Sequence, residues 1–196
     1  MSDISLIKDF IDGDDESGLL YNKYVKDLFS YGISLGFPRE ICMDAIHDVF
    51  CKLYYLKDEN IATIKNVKHY LFASLKNRLL DIYKKNKNLN IAEDLGEMPF
   101  EIEVSVLDAM IDEEDRDLII KKVESLMNCL TERQKEAIYL RYIQEMDYEE
   151  IASLLNMTTK SSRMLVFRAM EKMRDFTSQE KKLFFILLLT HLLKNF

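Results

Sequence analysis

Tryptophan is absent from the 196 residues, and only two prolines and five glycines interrupt them. So few breakers leave long stretches free to stay helical. The three cysteines, Cys42, Cys51 and Cys129, show no C-x-x-C spacing, so they make no metal signature and read as buried structural thiols. His47, His69 and His191 are scattered and join no catalytic constellation. No P-loop, triad or metal-ligand spacing is present, which argues against an enzyme. The expectation is therefore no catalytic residue, no metal, no cofactor and no small-molecule substrate. The N-terminal MSDISLIKDFIDGDD is acidic and unlike a signal peptide, which together with the cysteine usage predicts a reducing cytoplasm.

What is plentiful is Leu, Ile, Lys and Glu, within a chain that is 48% hydrophobic. That composition predicts an all-α fold with one or two small cores. The net charge of −7 is unevenly placed. Residues 1–60 carry 6 basic and 12 acidic side chains, residues 61–90 carry 7 and 1, residues 91–130 carry 3 and 12, and residues 131–196 carry 11 and 9. Two relatively basic blocks separated by an acidic one suggest two nucleic-acid surfaces and a repelling linker.

Residues 131–174 carry the sharpest local signals. Thr131 followed by Gln134 has the capping-box spacing, and Asp147 followed by Glu150 repeats it. Ala137, Ile138 and Tyr142 give the first helix an apolar side, and Ile151, Leu154 and Leu155 give the second a buried stripe. Asn156 sits at the break, where a left-handed residue is tolerated, and Thr158 or Thr159 caps a third helix. On that helix Val166, Ala169 and Met173 should face inward. Thr158, Thr159, Lys160, Ser161, Arg163, Met164, Phe167 and Arg168 form its start and outer side. A short helix, a tight turn and a basic-faced helix make a helix-turn-helix, whose second helix lies in the DNA major groove. A three-helix bundle with a solvated charged face has the same periodicity.

LTERQKEAIYLRYIQEMDYEEIASLLNMTTKSSR resembles the promoter-binding C-terminal region of bacterial sigma factors, and more narrowly the extracytoplasmic-function type of the sigma-70 superfamily. Leu130, Arg133, Leu140, Arg141, Tyr142, Tyr148, Glu150, Ile151, Ala152 and Leu155 fall on that pattern. The resemblance implies that the third helix reads the minus-thirty-five element. It departs from the family there: Leu165 stands where Arg is common and Phe167 where His is common. Fewer base hydrogen bonds are then on offer, and Met164 and Phe167 are offered to thymine methyls instead.

The N-terminal half is similar to the same family. A helix is predicted from Gly18 to about Leu35, ended by Gly36, with Pro38 in the first turn of the next. That next helix, about Arg39 to Leu56, has Ile46, Val49, Phe50 and Leu53 as its core stripe. Its DAIHDVF resembles the family segment that grips the largest subunit of core RNA polymerase. By resemblance, polymerase binding falls to Asp44, His47, Asp48, Val49 and Phe50, with His47 in place of the usual Gln. A polar loop over 58–66 leads to a helix from Val67 to about Asn86, with Leu71, Leu75, Leu79 and Ile82 buried. Its basic and aromatic side chains suit phosphates and unstacked bases, although a Lys-rich solubilising face would look alike. The resemblance implies minus-ten contacts by Lys65, Asn66, Lys68, Tyr70, Lys76, Asn77, Arg78, Tyr83, Lys84 and Lys85.

The expected organisation is two small helical domains, 1–90 and 120–177, joined by an acidic linker over 91–119, with an apolar helix over 178–196. From Leu183 to Leu193 only Thr190 and His191 are polar. Eleven residues are too few for a membrane span, which needs about twenty. The tail is expected to pack on protein: its own helix-turn-helix domain, a second copy, or an anti-sigma factor. The function implied is a sigma factor, whose partners are core RNA polymerase, promoter DNA and an anti-sigma factor. The competing reading is a dimeric helix-turn-helix regulator that does not bind core polymerase.

Overall fold

Gly36 and Pro38 mark a helix boundary, while Gly18 and Gly32 lie inside a helix. In the computed structural model, residues 3–12, 17–56, 61, 63–87, 99–102 and 123–178 are described. Among them the secondary structure is helical, with no strand. The chain divides into two compact units, Met1–Leu95 and Gly96–Phe196.

The first unit contains α1 (Asp3–Asp12), α2 (Ser17–Ser34), α3 (Arg39–Tyr54) and α4 (Val67–Lys87). Gly36, at φ 80°, closes α2. Its N–H donates to the Ile33 carbonyl at 2.8 Å and the Phe37 N–H to the Gly32 carbonyl at 3.3 Å, a Schellman closure. Pro38 stands one position earlier than the sequence suggests, at the N-cap of α3, with φ −58° and ψ 150°. There its carbonyl accepts the Cys42 N–H at 3.0 Å, and its missing N–H costs no helical bond. Asn66, immediately before α4, accepts the His69 N–H on its side chain at 3.2 Å and so caps that helix.

Helix α2 packs against α1, α3 and α4, and α3 also packs on α4. Tyr31, Ile46, Leu53, Leu71, Phe72, Leu75 and Leu79 fill the space between them. A Cβ on Gly32 would come within 2.8 Å of Cys42 Sγ, so the closeness of α2 and α3 depends on that glycine. Burial pushes the Cys42 thiol up to about 11, which leaves it neutral and inert. Two expectations change. Ile82 is only half-buried. The stretch read as a polar loop buries Ile61 and Ile64, and the Ile64 N–H closes a turn on the Ile61 carbonyl at 3.0 Å.

The second unit contains a short helix α5 over 123–128, then α6 (Glu132–Ile138), a π-helical turn (Tyr139–Ile143), α7 (Tyr148–Leu154) and α8 (Thr159–Ser178). Phe100 belongs to this unit, although the sequence places it in the linker. Its ring lies edge-on to Tyr139 with centroids 5.5 Å apart, and its N–H donates to the Glu132 carboxylate. An aromatic in an acidic stretch found a core too distant in sequence for periodicity to reveal. Most of the expected linker, and the apolar tail from residue 179 on, lie outside the described residues.

Candidate nucleic-acid and partner interfaces

The helix-turn-helix is assembled from local chemistry. Thr131 Oγ1 accepts the Gln134 N–H at 3.3 Å while Gln134 Oε1 accepts the Thr131 N–H at 3.1 Å. Asp147 Oδ1 accepts the N–H groups of Glu149 and Glu150, and Glu150 Oε2 accepts the Asp147 N–H, all at 2.8 Å. These are two complete capping boxes. Asn156, at φ 49°, ends α7. The Met157 N–H reaches the Ala152 carbonyl at 2.9 Å and the Asn156 N–H the Ser153 carbonyl at 3.3 Å, again a Schellman closure. Thr158 is the cap of α8: its Oγ1 accepts the Ser161 N–H at 3.1 Å, and its carbonyl accepts the Ser162 N–H at 2.9 Å.

Helix α8 turns Val166, Ala169 and Met173 into the core, and Ser162 with them. The sequence offers Ser162 as one more polar residue beside Ser161, yet it is fully buried. Its hydroxyl lies 2.7 Å from the Tyr148 carbonyl of α7 and 2.9 Å from the Thr159 carbonyl of its own helix. Lys160, Ser161, Arg163, Met164, Phe167 and Arg168 are all exposed, so the outer face expected from the sequence is assembled as one surface. Phe167, at 52% exposure, and Met164, at 42%, are apolar groups held out towards solvent on it. Thr159 is half-buried at the start of the helix.

The pattern arginines are not on that surface. Arg133 Nη2 donates to the Leu155 carbonyl at the end of α7, and Arg141 Nη1 donates to the Met146 carbonyl at 2.8 Å. Arg141 lies within the π-helical turn, in which the Gln144 N–H reaches back five residues to the Tyr139 carbonyl at 3.0 Å. Glu145, at φ 55°, then turns the chain into α7. No periodicity announces this turn, because its extra residue is accommodated by tertiary contacts. Burial raises the Tyr142 hydroxyl above its ordinary pKa, helped by the nearby Tyr148 and opposed by Arg141.

In the first unit the assigned residues divide. Asp44, His47 and Asp48 are exposed on α3. Val49 and Phe50, assigned with them, are 3% and 4% exposed and belong to the core. Phe50 meets Tyr21 and Phe10 edge-on, with centroids 5.0 and 5.9 Å apart. They support the α3 face from beneath. Asp48 receives the Arg78 guanidinium from α4 at 2.6 and 2.7 Å, so two residues assigned to different partners hold one another. His47 Nε2 lies 3.4 Å from Cys51 Sγ on the same exposed side.

The ten assigned residues, eight on α4 and two just before it, do not share one face. At 3.6 residues per turn, Tyr70, Asn77 and Lys84 recur on the side opposite Leu71, Leu75 and Leu79, with Lys85 beside them. Asn77, Lys84 and Lys85 are exposed and Tyr70 is half-buried. Lys65, before the helix, is also exposed. Lys68 instead turns inward, 4.0 Å from Asp27 and over the Phe72 ring at 6.0 Å. Lys76 and Tyr83 flank the buried side, with Tyr83 edge-on to Phe37 at 6.5 Å. Among the described residues no group of His, Cys, Asp and Glu could hold a metal ion, and no helix is long and apolar enough to cross a membrane.

Residues 120–173 match the family described as Sigma-70, region 4. Over 160 residues the chain is 23% identical to the ECF RNA polymerase sigma factor SigM of Bacillus subtilis (strain 168), covering 79% of this chain and 91% of that protein. Both likenesses are to sigma factors, the second to one of the extracytoplasmic-function type. The chain's fold is also similar to that of CnrH, solved in complex with the cytosolic domain of CnrY, with a TM-score of 0.56 at 19% identity over 91% of this chain and 99% of that one. The exposed side of α8 lies within the matched segment, at residues 159–173.

Proposed function

We propose that this chain is a sigma factor, which joins core RNA polymerase through its first unit, opens promoter DNA there, and reads the upstream promoter element through its second. The observation that carries the reading is the reach of the likeness to SigM. It spans 160 residues, far more than the 120–173 segment that a helix-turn-helix regulator would share. Asp44, His47 and Asp48 form the polymerase-facing side of α3, supported from below by Val49 and Phe50. Tyr70 and Asn77 take the melted minus-ten strand on the outer side of α4, and Lys65, Lys84 and Lys85 neutralise its phosphates. Asn66, Lys68 and Arg78 hold the first unit in shape. Helix α8 offers Lys160, Ser161, Arg163, Met164, Phe167 and Arg168 to the minus-thirty-five major groove. The chain contributes binding and DNA opening in the cytoplasm, and bond making is left to the polymerase. By the likeness to CnrH, a regulator that sequesters the sigma factor is a further partner.

Core polymerase with and without the full chain, on genomic DNA, tests this directly when transcript 5′ ends are sequenced. The expected result is a discrete set of new starts preceded by two common elements. No new starts, no co-elution with core, and binding of duplex DNA as a dimer would instead establish the regulator reading.

A further inference from the structure

One aromatic ring carries two guanidinium groups. Arg141 lies with its guanidinium carbon 4.8 Å from the centre of the Tyr148 ring, and Arg163 lies 5.2 Å from the same centre. The ring is well anchored. Tyr148 opens α7 directly after the Asp147 capping box. Arg141 is fixed in turn by its bond to the Met146 carbonyl at 2.8 Å. The Tyr148 carbonyl receives the buried Ser162 hydroxyl at 2.7 Å. Ser162 and Arg163 are neighbours in sequence, so α8 meets Tyr148 twice in succession, on its backbone and on its ring. Arg163 is otherwise exposed, and an exposed arginine samples many rotamers that it must give up on binding. A guanidinium resting on a ring face keeps its planar N–H edge free for bidentate acceptors.

We infer that Tyr148 is a positioning residue for DNA reading: its ring, fixed together with Arg141, holds Arg163 ready for the minus-thirty-five element without touching DNA itself. The inference rests on the proposed reading that α8 faces that element. Preorganisation is worth one immobilised side chain, so losing it weakens binding by about 3- to 10-fold.

The test uses the full chain with core polymerase and a duplex promoter taken from the sequenced starts. Tyr148→Phe keeps the ring and should bind as the unchanged protein does. Tyr148→Leu should lose about 3- to 10-fold, and Arg163→Ala should lose about 5- to 150-fold if it contacts a base edge. The double variant Tyr148→Leu/Arg163→Ala should be no weaker than Arg163→Ala alone, because the ring acts only through Arg163. In the free protein, NMR should find the Arg163 Hδ protons shifted upfield by the ring, a shift retained in Tyr148→Phe and lost in Tyr148→Leu. Several results overturn the inference. They are fully additive losses, a loss in Tyr148→Phe, full binding by Tyr148→Leu beside a weakened Arg163→Ala, or unshifted Arg163 protons in the unchanged protein. The last needs no variant to fold. Full binding by Arg163→Ala would remove both the inference and this residue's place in the proposed reading. The other outcomes leave that reading standing.

Discussion

In the first unit the residues that match the family pattern divide: Val49 and Phe50 are core, while Asp44 and Asp48 are exposed and Asp48 is held by Arg78. In the second unit the matching residues Arg133 and Arg141 clasp backbone carbonyls, while α8 presents a continuous exposed side. Both units end a helix in the same way, with Gly36 in one and Asn156 in the other at positive φ. They differ in what stands between scaffold and surface. On α3 and α4 the two roles alternate along each helix, so a substitution at one position disturbs its neighbour's role. In the second unit the pattern arginines are scaffold in α6 and the π-helical turn, and the exposed surface is carried by α8, above its own buried Ser162, Val166, Ala169 and Met173. A motif match therefore identifies a fold more directly than it identifies a contact.

The largest expected effect tests that alternation on α3. Phe50→Ala should cost the first unit about 3–5 kcal/mol through the cavity left beside Phe10 and Tyr21. Asp48→Ala, two positions away, should cost only about 0–1 kcal/mol, since its partner Arg78 is partly solvated. Polymerase binding should fall in both, but with an intact fold only in Asp48→Ala. Thermal melts beside co-elution with core separate the two causes. A Phe50→Ala protein that melts like the parent would place Phe50 outside the core and merge the two roles.

Next in size is the scaffold of the second unit. Arg133→Met removes the donor that holds the Leu155 carbonyl at the end of α7, a loss of about 1–2 kcal/mol. Asp147→Ala removes one capping box and should cost about 1 kcal/mol. Both should lower the melting temperature by several degrees, since about 4–8 °C accompanies each kcal/mol in a domain of this size. Neither should change the salt dependence of DNA binding, because neither is proposed to meet a phosphate. A flattened salt slope in Arg133→Met would move that arginine from scaffold to surface and weaken the contrast between the units.

Much of the second unit was legible because its signals are short-range. Capping boxes, the Asn156 break and the inward stripe of Val166, Ala169 and Met173 each span only a few residues. Ser162 and Phe100 were not legible, since each is defined by a partner far along the chain: Tyr148 for the first, Tyr139 and Glu132 for the second. On α4 the periodicity gave Leu71, Leu75 and Leu79 correctly but not Ile82, where burial fades towards the end of the helix. The same periodicity puts Lys68, three residues before Leu71 and seven before Leu75, on the buried side and Lys84 opposite it, but a helical wheel does not reveal the Asp27 and Phe72 that Lys68 meets. The contact surfaces were thus less legible than the fold, and least so where scaffold and surface alternate.

The smallest expected effect concerns how α1 is tied to α2. Asp3 accepts hydrogen bonds from Lys23 and from the Tyr24 hydroxyl at 2.6 Å. Burial alone would raise the Asp3 carboxyl, but the two hydrogen bonds and the Lys23 charge outweigh it and hold the group below its ordinary 3.8. The same contact raises the Tyr24 hydroxyl, through burial first and Asp3 second, so Tyr24 stays a donor at neutral pH. A carboxyl whose pKa is lower folded than unfolded binds fewer protons in the folded state. Its contribution is therefore fully present above 3.8 and is lost as pH falls through the lower folded value. Asp3→Asn should melt below the unchanged protein by a constant small margin from neutral pH down to about 5, and that margin should close below pH 4. The second unit, which lacks Asp3, should show the same melting in both proteins across that range. A margin that stays open in acid would mean that Asp3 holds α1 by shape and hydrogen bonding alone, without its charge.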